Sequence, residues 1–180
     1  MDRIQASRVM ANWDRQGRYV FTRRQLAKLF PGDSPKTFAQ GLDRLVRTGL
    51  LVRACRGVYV NPQAHSFDSR VIEHIARALR PAAYSYVSLE SLLSESGAIS
   101  QIPLDRLTVM TTGRKGVYKT PYGVIEFTHT KRPVAEVLGN IRSVDGRPLR
   151  LATPSVAWRD LKRVGRNVQL VDQEAIADGQ

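Results

Sequence analysis

The sequence has a single cysteine, Cys55, which excludes an intramolecular disulfide and a zinc site built from thiolates. Long apolar runs are also lacking: none approaches the length that crosses a membrane. The opening stretch, MDRIQASRVMANWDRQ, is amphipathic and charged, without the apolar centre of a signal peptide. Together these absences predict a cytoplasmic protein in a reducing compartment.

Acidic residues are few, since 16 Asp and Glu stand against 28 Lys and Arg, for a formal net charge of +12. The imbalance is concentrated at one end: residues 1–62 hold 12 basic and 4 acidic residues, whereas residues 63–180 hold 16 and 12. A balance of this kind favours an anionic partner over a neutral small molecule. The plainer alternative is a basic protein whose arginines only keep it soluble.

Two helices are predicted in the first thirty residues. Apolar residues at helical spacing indicate a helix over about 3–16, with Trp13 packed inward. After an extended piece, Thr22 is placed to cap a second helix through FTRRQLAKLF. This helix buries its leucines and leaves Arg23 and Arg24 in water. The sequence PGD then turns the chain.

A third helix is predicted from Ser34, as the cap, to about Gly49. One side of it is apolar. On a helical wheel at about 100° per residue, the opposite side carries Lys36, Thr37, Gln40, Arg44 and Arg47. Arg can bond guanine, and Gln adenine, through paired hydrogen bonds, so this side suits the major groove of DNA. An ordinary solvated helix surface is the plainer interpretation.

A hairpin follows the third helix. Two β-prone runs, 50–54 and 57–60, are joined by a turn in which Gly57 is expected to adopt a positive φ. Arg53 and Arg56 lie where a wing touches the DNA backbone or minor groove, and Cys55 is interpreted as a small filler. Two helices, a turn and a basic hairpin predict a winged helix-turn-helix over residues 1–62, with duplex DNA as its partner.

A second domain is predicted over residues 68–180, after a short polar linker at 63–67. Asp68 or Ser69 is expected to cap one helix, and Ser88 to cap another. Alternating residues between 107 and 128 predict a small antiparallel sheet. The fold class is therefore α+β.

The end of this domain is predicted to be helical. Pro133 and Thr153 with Pro154 are placed to open two further helices, and the second of them exposes several basic residues. The acidic tail from 172 to 180 is expected to fray.

The residue patterns of an enzyme are weak in this chain. The turn GRKG at 113–116 lacks the residues of a phosphate-binding loop, and His65, His74 and His129 show no metal-ligand spacing. Asp105 and Glu126, with Lys131 downstream, resemble a metal-dependent nuclease centre, but Lys131 lies beyond the predicted strand. No catalytic residue, metal or cofactor is predicted, and the nuclease stays as an alternative, as does a protein-interaction module.

Five segments taken together resemble the AbiEi-type antitoxins, namely FTRRQLAKLF, GLDRLVRTGLLVRACRGVYVNP, YSYVSLESLLSESGAI, LTVMTTGRKGVYKTPYGVIEFTH and LATPSVAWRDLKRVGRN. The resemblance implies a component of a bacterial or phage type IV toxin-antitoxin (abortive infection) system. Its winged helix would repress its own operon at inverted repeats of the promoter, and its second domain would serve antitoxicity. The implied toxin is nucleotidyltransferase-like and is countered without a stable complex.

The resemblance also assigns roles to residues. It places recognition on the third helix and backbone contact on the hairpin, in agreement with the helical wheel, and it makes Arg23 and Arg24 candidates for positioning on the DNA backbone. The chain ends soon after LATPSVAWRDL, so a shortened second domain is expected. The DNA-binding residues predicted in this way are Arg23, Arg24, Lys36, Thr37, Gln40, Arg44, Arg47, Arg53 and Arg56.

Overall fold

The structure, a computed structural model, describes residues 1–100 and 105–177. The chain divides into two compact units, Met1–Leu79 and Arg80–Gln180. The first unit combines helices with a three-stranded antiparallel sheet, and the second combines helices with a larger mixed sheet. The predicted α+β class is confirmed.

In the first unit the elements follow one another as helix, strand, two helices, hairpin and helix. This is the element order that the sequence predicted for residues 1–62, with one helix added at its end. The elements are α1 (Arg3–Asp14), β1 (Val20–Thr22), α2 (Arg23–Leu29), α3 (Pro35–Arg47), β2 (Val52–Cys55), β3 (Val58–Val60) and α4 (Val71–Leu79).

Side-chain caps fix where these helices begin. Thr22 and Gln25 form a reciprocal capping box at α2. The backbone amide of Gln25 donates to the Thr22 hydroxyl at 3.2 Å, and the backbone amide of Thr22 donates to the side-chain Oε1 of Gln25 at 2.8 Å. At α3 the Ser34 hydroxyl accepts from the amide of Thr37 at 3.2 Å. Both predicted caps are thus confirmed, because a cap depends only on residues within one turn.

The core of the first unit lies between α1, α2, α3 and one face of the sheet, whose strands run in the order β1, β3, β2. Phe21 and Tyr59 are directly paired across β1 and β3 and point to this core. Its buried members are Ala6, Met10, Phe21, Leu26, Phe30, Phe38, Leu42, Leu45, Leu51 and Tyr59.

Helix α4 covers the opposite face of the sheet, since neighbouring residues of a strand point to opposite sides. It contacts β1 and β3, and the ring of Tyr19 lies 4.9 Å from that of His74 and 5.3 Å from that of Phe67. The sequence-based boundary assigned this helix to the second domain, whereas it lies within the first unit. Asp14 holds the intervening segment, because its carboxylate accepts from the amides of His65 and Ser66 at 2.7 and 2.9 Å.

The second unit contains a six-stranded sheet in the order β6, β7, β5, β4, β9, β8. Within residues 80–100 and 105–177 the elements are β4 (Ser85–Val87), α5 (Leu89–Glu95), β5 (Arg106–Thr111), β6 (Gly116–Thr120), β7 (Gly123–His129), α6 (Val134–Gly139), β8 (Ile141–Arg142), β9 (Arg150–Ala152), α7 (Pro154–Val164), a 3-10 turn at Val168–Leu170 and α8 (Glu174–Ala177).

The sheet is larger than the small antiparallel one predicted, and two of its pairings are parallel. Strand β7 turns back from β6 and inserts between β6 and β5, so β5 and β7 run in the same direction. Strands β4 and β9 are also parallel. Alternation of apolar residues reports which side of a strand is buried, but it carries no information on strand direction.

Two details of the second unit differ from the sequence-based expectations. Ser88 stands at the start of α5, yet its hydroxyl makes no capping bond and donates instead to the buried carboxylate of Asp160 at 2.9 Å. In the tail predicted to fray, residues 174–177 form α8, and residues 178–180 lie outside the described residues. No helix in the described part of the chain is long and apolar enough to cross a membrane.

Candidate nucleic-acid interface

Helix α3 separates an apolar side from a polar one. Phe38, Gly41, Leu42 and Leu45 are buried in the core of the first unit. The five residues that the helical wheel selected lie on the other side and are all exposed: Lys36, Thr37, Gln40, Arg44 and Arg47. This side of α3 is therefore available to a duplex.

The amino-terminal end of α3 is held by its cap and offers hydrogen-bonding groups. The Thr37 hydroxyl lies 2.9 Å from the Ser34 hydroxyl, and the two share a hydrogen bond. Lys36 is exposed in the same first turn. The amides of Thr37 and Phe38 are bonded to Ser34, so the Lys36 side chain and the positive end of the helix dipole are what make this end attractive to a phosphate.

Met1 is a contact of α3 that sequence reasoning missed. The Arg44 guanidinium donates to the Met1 carbonyl oxygen at 2.5 Å, and the Met1 ammonium lies 2.6 Å from an oxygen of Asp33. Gly41 makes room for this contact, because a Cβ there would come within 2.8 Å of the Met1 side chain. A glycine inside a helix was the available signal.

Arg23 connects α2 to both neighbouring parts of the interface. Its guanidinium lies over the Phe38 ring of α3, 5.6 Å from the ring centre, and its amide donates to the Gly57 carbonyl oxygen of the hairpin turn at 2.8 Å. Arg24, the next residue, is exposed. The first turn of α2 therefore lies beside both α3 and the tip of the hairpin.

The hairpin between β2 and β3 has the turn that the sequence predicted. Gly57 has a φ of +81°, the left-handed region that favours glycine, and the pairing shifts register between Arg53 and Cys55. Arg53 and Arg56 are exposed. Burial raises the pKa of the Cys55 thiol despite the opposing charge of Arg53, so the thiol stays protonated at neutral pH.

The positive charges of this surface are not neutralised within the protein. Among the described residues, no ion pair involves any of the seven cationic side chains that were predicted to bind DNA. Three of the four acids in residues 1–62 serve other contacts. Asp2 caps α1, Asp14 holds the loop at residues 65–66, and Asp33 pairs with the Met1 ammonium. Hydrogen bonds from Gln5 and Ile4 lower the pKa of Asp2, and those from Ser66 and His65 lower that of Asp14.

The residues of the alternative nuclease centre are occupied otherwise. Both oxygens of the Glu126 carboxylate accept from arginines, one from Arg166 and the other from Arg106 at 2.6 Å. Burial alone would raise the pKa of Glu126, but these two arginines outweigh it and hold the pKa below its usual value. Lys131 lies past the end of β7, and Asp105 is exposed. The described residues contain no group of three or more His, Cys, Asp or Glu that could hold a metal ion.

The second unit contains a set of ion pairs that the sequence did not indicate. Arg166 donates to the buried Glu90 at 2.8 Å and also to Glu126, so one guanidinium joins α5 to β7. The side chain of Asn167 adds a hydrogen bond to Glu90 at 2.9 Å. In the sequence Arg166 is 40 residues from Glu126 and 76 residues from Glu90. At such separations residue spacing does not indicate that two side chains will pair.

A second buried carboxylate of this unit, Asp160, is fully covered. Tyr86 and Ser88 donate to one of its oxygens at 3.1 and 2.9 Å, and Arg132 lies 3.4 Å from the other. Burial raises the pKa of Asp160 in spite of these three partners, and burial together with the neighbouring Asp160 raises that of Tyr86. This group joins β4 to α7 inside the unit and has no access to solvent.

The chain is similar to known proteins in its fold and, over part of its length, in its sequence family. The chain resembles the crystal structure of the RV2827C protein from Mycobacterium tuberculosis, with a TM-score of 0.59 and 16% identity over 99% of this chain and 71% of that one. This likeness concerns the fold alone. A search of curated protein sequences found no match. Residues 8–62 match the family model described as "Transcriptional regulator, AbiEi antitoxin". The resemblance to AbiEi-type antitoxins is thereby confirmed over residues 8–62, the segment that carries α2, α3 and the hairpin.

Proposed function

We propose that this protein is a sequence-specific, double-stranded DNA-binding repressor that acts as the antitoxin of a type IV toxin-antitoxin system. The family of residues 8–62 is one of transcriptional regulators. Within it, α3 would enter the major groove, α2 would position the protein on the phosphate backbone, and the hairpin would contact the backbone or the adjacent minor groove.

One observation carries this proposal. Arg44 and Arg47 of α3, Arg53 and Arg56 of the hairpin, and the other predicted contacts are exposed on neighbouring elements, and none is paired with an acid in the described part of the chain. Unpaired cations repel one another, so their concentration on one surface does not stabilise the fold. A phosphate backbone would remove that repulsion and release counterions.

The proposed target is the promoter of the protein's own operon. Inverted repeats would be bound by two copies, with one α3 in each half-site, and the half-sites would be one helical turn or a multiple of it apart. Negative autoregulation follows if this binding obstructs transcription. The toxin would be a nucleotidyltransferase-like protein that is neutralised without a stable complex, and no residue is assigned to contact it.

The test is binding of the full chain to duplex DNA, followed by fluorescence anisotropy at several salt concentrations. One labelled duplex carries the sequence upstream of the gene, and the other is a shuffled duplex of equal composition. We expect the first to bind more tightly by a factor of about 1,000 or more, with an affinity that falls steeply as salt rises.

The control for this experiment is Arg77→Ala. Arg77 is exposed on α4, on the other side of the sheet from α3, so its loss should leave both affinities close to wild type. An affinity that does not change with salt concentration and is equal for the two duplexes would refute the proposal and favour a protein-interaction module.

A further inference from the structure

Helix α3 carries one acid within its basic surface. Asp43 is exposed, and at about 100° per residue it lies about 20° around the helix from Lys36 and about 40° from Arg47. It is also one turn from Gln40. Asp43 therefore lies beside Lys36 and Arg47, next to the residues of α3 that the proposed function places in the major groove.

Nothing within the described structure accounts for this carboxylate. Arg47 is at the i+4 position, where an ion pair with Asp43 would be favourable, yet no ion pair or hydrogen bond of Asp43 occurs in residues 1–100 and 105–177. The other three acids of the amino-terminal region all have partners. Asp43 is the member of that set that has no partner within the described residues.

Helix stability does not explain Asp43 either. Asp is among the weaker helix formers, and an acid is favourable in the first turn of a helix, whereas Asp43 lies in the carboxyl-terminal half of α3. On a phosphate-binding surface its charge also reduces affinity for any duplex. A residue that is unfavourable for the helix and for general DNA binding is explained if it selects a particular base.

The base that fits a carboxylate is cytosine. In the major groove cytosine presents the N4 amino group, which is a donor, whereas guanine presents two acceptors and thymine presents an acceptor with a methyl group. Adenine has a donor at N6 but an acceptor at N7 beside it, and that acceptor would repel a carboxylate. An ionised carboxylate accepts hydrogen bonds and cannot donate one.

We propose that the Asp43 carboxylate accepts a hydrogen bond from N4 of a cytosine in the major groove and so determines the base at one position of the binding site. The proposal rests on the DNA-binding function proposed above. Under this proposal α3 contributes to DNA binding in two ways. Its basic residues increase affinity for every duplex, and Asp43 lowers affinity for duplexes that lack the cytosine.

Replacement of Asp43 by Asn changes both contributions in known directions. Asn has nearly the same shape without the charge, and it bonds adenine N6 and N7 together. Asp43→Asn should therefore replace the cytosine preference by an adenine preference at one position. Asp43→Ala should leave that position without preference. Both variants should bind a shuffled duplex more tightly than wild type does, because a like charge near the phosphates is gone.

The experiment is selection of a randomised duplex library by wild type, Asp43→Asn, Asp43→Ala and the Arg77→Ala control, followed by anisotropy on the selected duplexes. In the wild-type site we expect a cytosine whose replacement weakens binding about tenfold. The same replacement should have less than a twofold effect on Asp43→Ala. All other selected positions should stay unchanged in the variants.

Failure of this inference is distinguishable from failure of the proposed function. If wild type selects no sequence, the DNA-binding repressor itself is refuted. If wild type and both Asp43 variants select the same site with the same base preferences, Asp43 reads no base and only this inference is overturned. Because Asp43 is exposed and unpartnered, thermal unfolding of both variants should match wild type. If Asp43→Ala does not fold, Asp43→Asn still tests the inference, because Asn has nearly the same shape as Asp.

Discussion

The arginines of the proposed DNA-binding surface in the first unit and those of the ion pairs in the second unit are used in opposite ways. On α2, α3 and the hairpin of the first unit, the predicted DNA-contacting arginines have no acidic partner within the described residues. In the second unit Arg106, Arg132, Arg147 and Arg166 each pair with a carboxylate. The total of 28 basic residues therefore does not by itself indicate a binding surface. Paired arginines join elements of a fold, whereas unpaired ones are available to an external anion.

This difference has opposite consequences for stability. Removal of an unpaired cation from the first unit relieves repulsion and leaves no carboxylate behind. Removal of Arg166 from the second unit leaves the buried Glu90 without its cation and Glu126 with Arg106 alone, and loss of one partner of a buried pair is strongly destabilising. Loss of a paired arginine should therefore lower stability more than loss of an unpaired one. A variant pair that shows the reverse would contradict this comparison.

The largest expected effect is that of Arg166→Ala on the second unit. It leaves Glu90 and Glu126, whose side chains are 6% and 12% exposed, as neighbouring acids without their shared cation. Loss of one partner of such a pair should lower the free energy of unfolding by about 3 kcal/mol, at the low end for buried pairs because Arg166 itself is one-third exposed.

Tryptophan fluorescence can measure this effect in the second unit separately. The chain has two tryptophans, Trp13 in α1 and Trp158 in α7, so a Trp13→Phe background reports on the second unit alone during urea unfolding. Arg163→Ala is the matched control, since Arg163 is exposed near the end of α7, three residues before Arg166, and should change stability by less than about 0.5 kcal/mol. Equal effects of the two substitutions would contradict the proposed difference between paired and unpaired arginines.

The next largest effect concerns Arg44 in the first unit. If Arg44 bonds a guanine, Arg44→Ala should weaken binding to the selected site by about 1 to 3 kcal/mol and weaken binding to a shuffled duplex less. Because Arg44 also donates to the Met1 carbonyl oxygen, thermal unfolding must be compared to separate this contact from DNA binding. An unchanged affinity for the selected site would remove Arg44 from the interface.

Local features of the first unit were predictable from sequence, and distant contacts of both units were not. Thr22, Ser34 and Gly57 act within a few residues of their own position, so the caps and the turn could be predicted. The exposed side of α3 follows from helical periodicity alone. Asp43 lies on that same side, but a carboxylate is not among the cations and amides by which the sequence pattern predicts DNA contacts.

What could not be predicted depends on pairing across long stretches of chain. Arg166 meets Glu90 across 76 residues, and β7 inserts between β5 and β6 through hydrogen bonds that alternation does not specify. The polar residues 63–67 were interpreted as a linker between domains, yet Asp14 binds two of their amides and α4 joins the first unit. Each of these contacts is decided by tertiary packing, which overrides local composition.

The smallest expected effect is that of Arg56→Ala, and it tests whether the unpaired charge of the hairpin meets phosphates. Arg56 lies in the turn beside Gly57, whose carbonyl oxygen is bound by the amide of Arg23, so the backbone of the turn should persist when the side chain is lost. One phosphate contact fewer should reduce the slope of log affinity against log salt by about 0.9 and weaken selected and shuffled duplexes to the same extent. Anisotropy over a salt series measures both quantities. A slope equal to that of wild type, or a loss confined to the selected site, would mean that the hairpin does not contact the backbone in this way, and the contrast between the units would then rest on α2 and α3 alone.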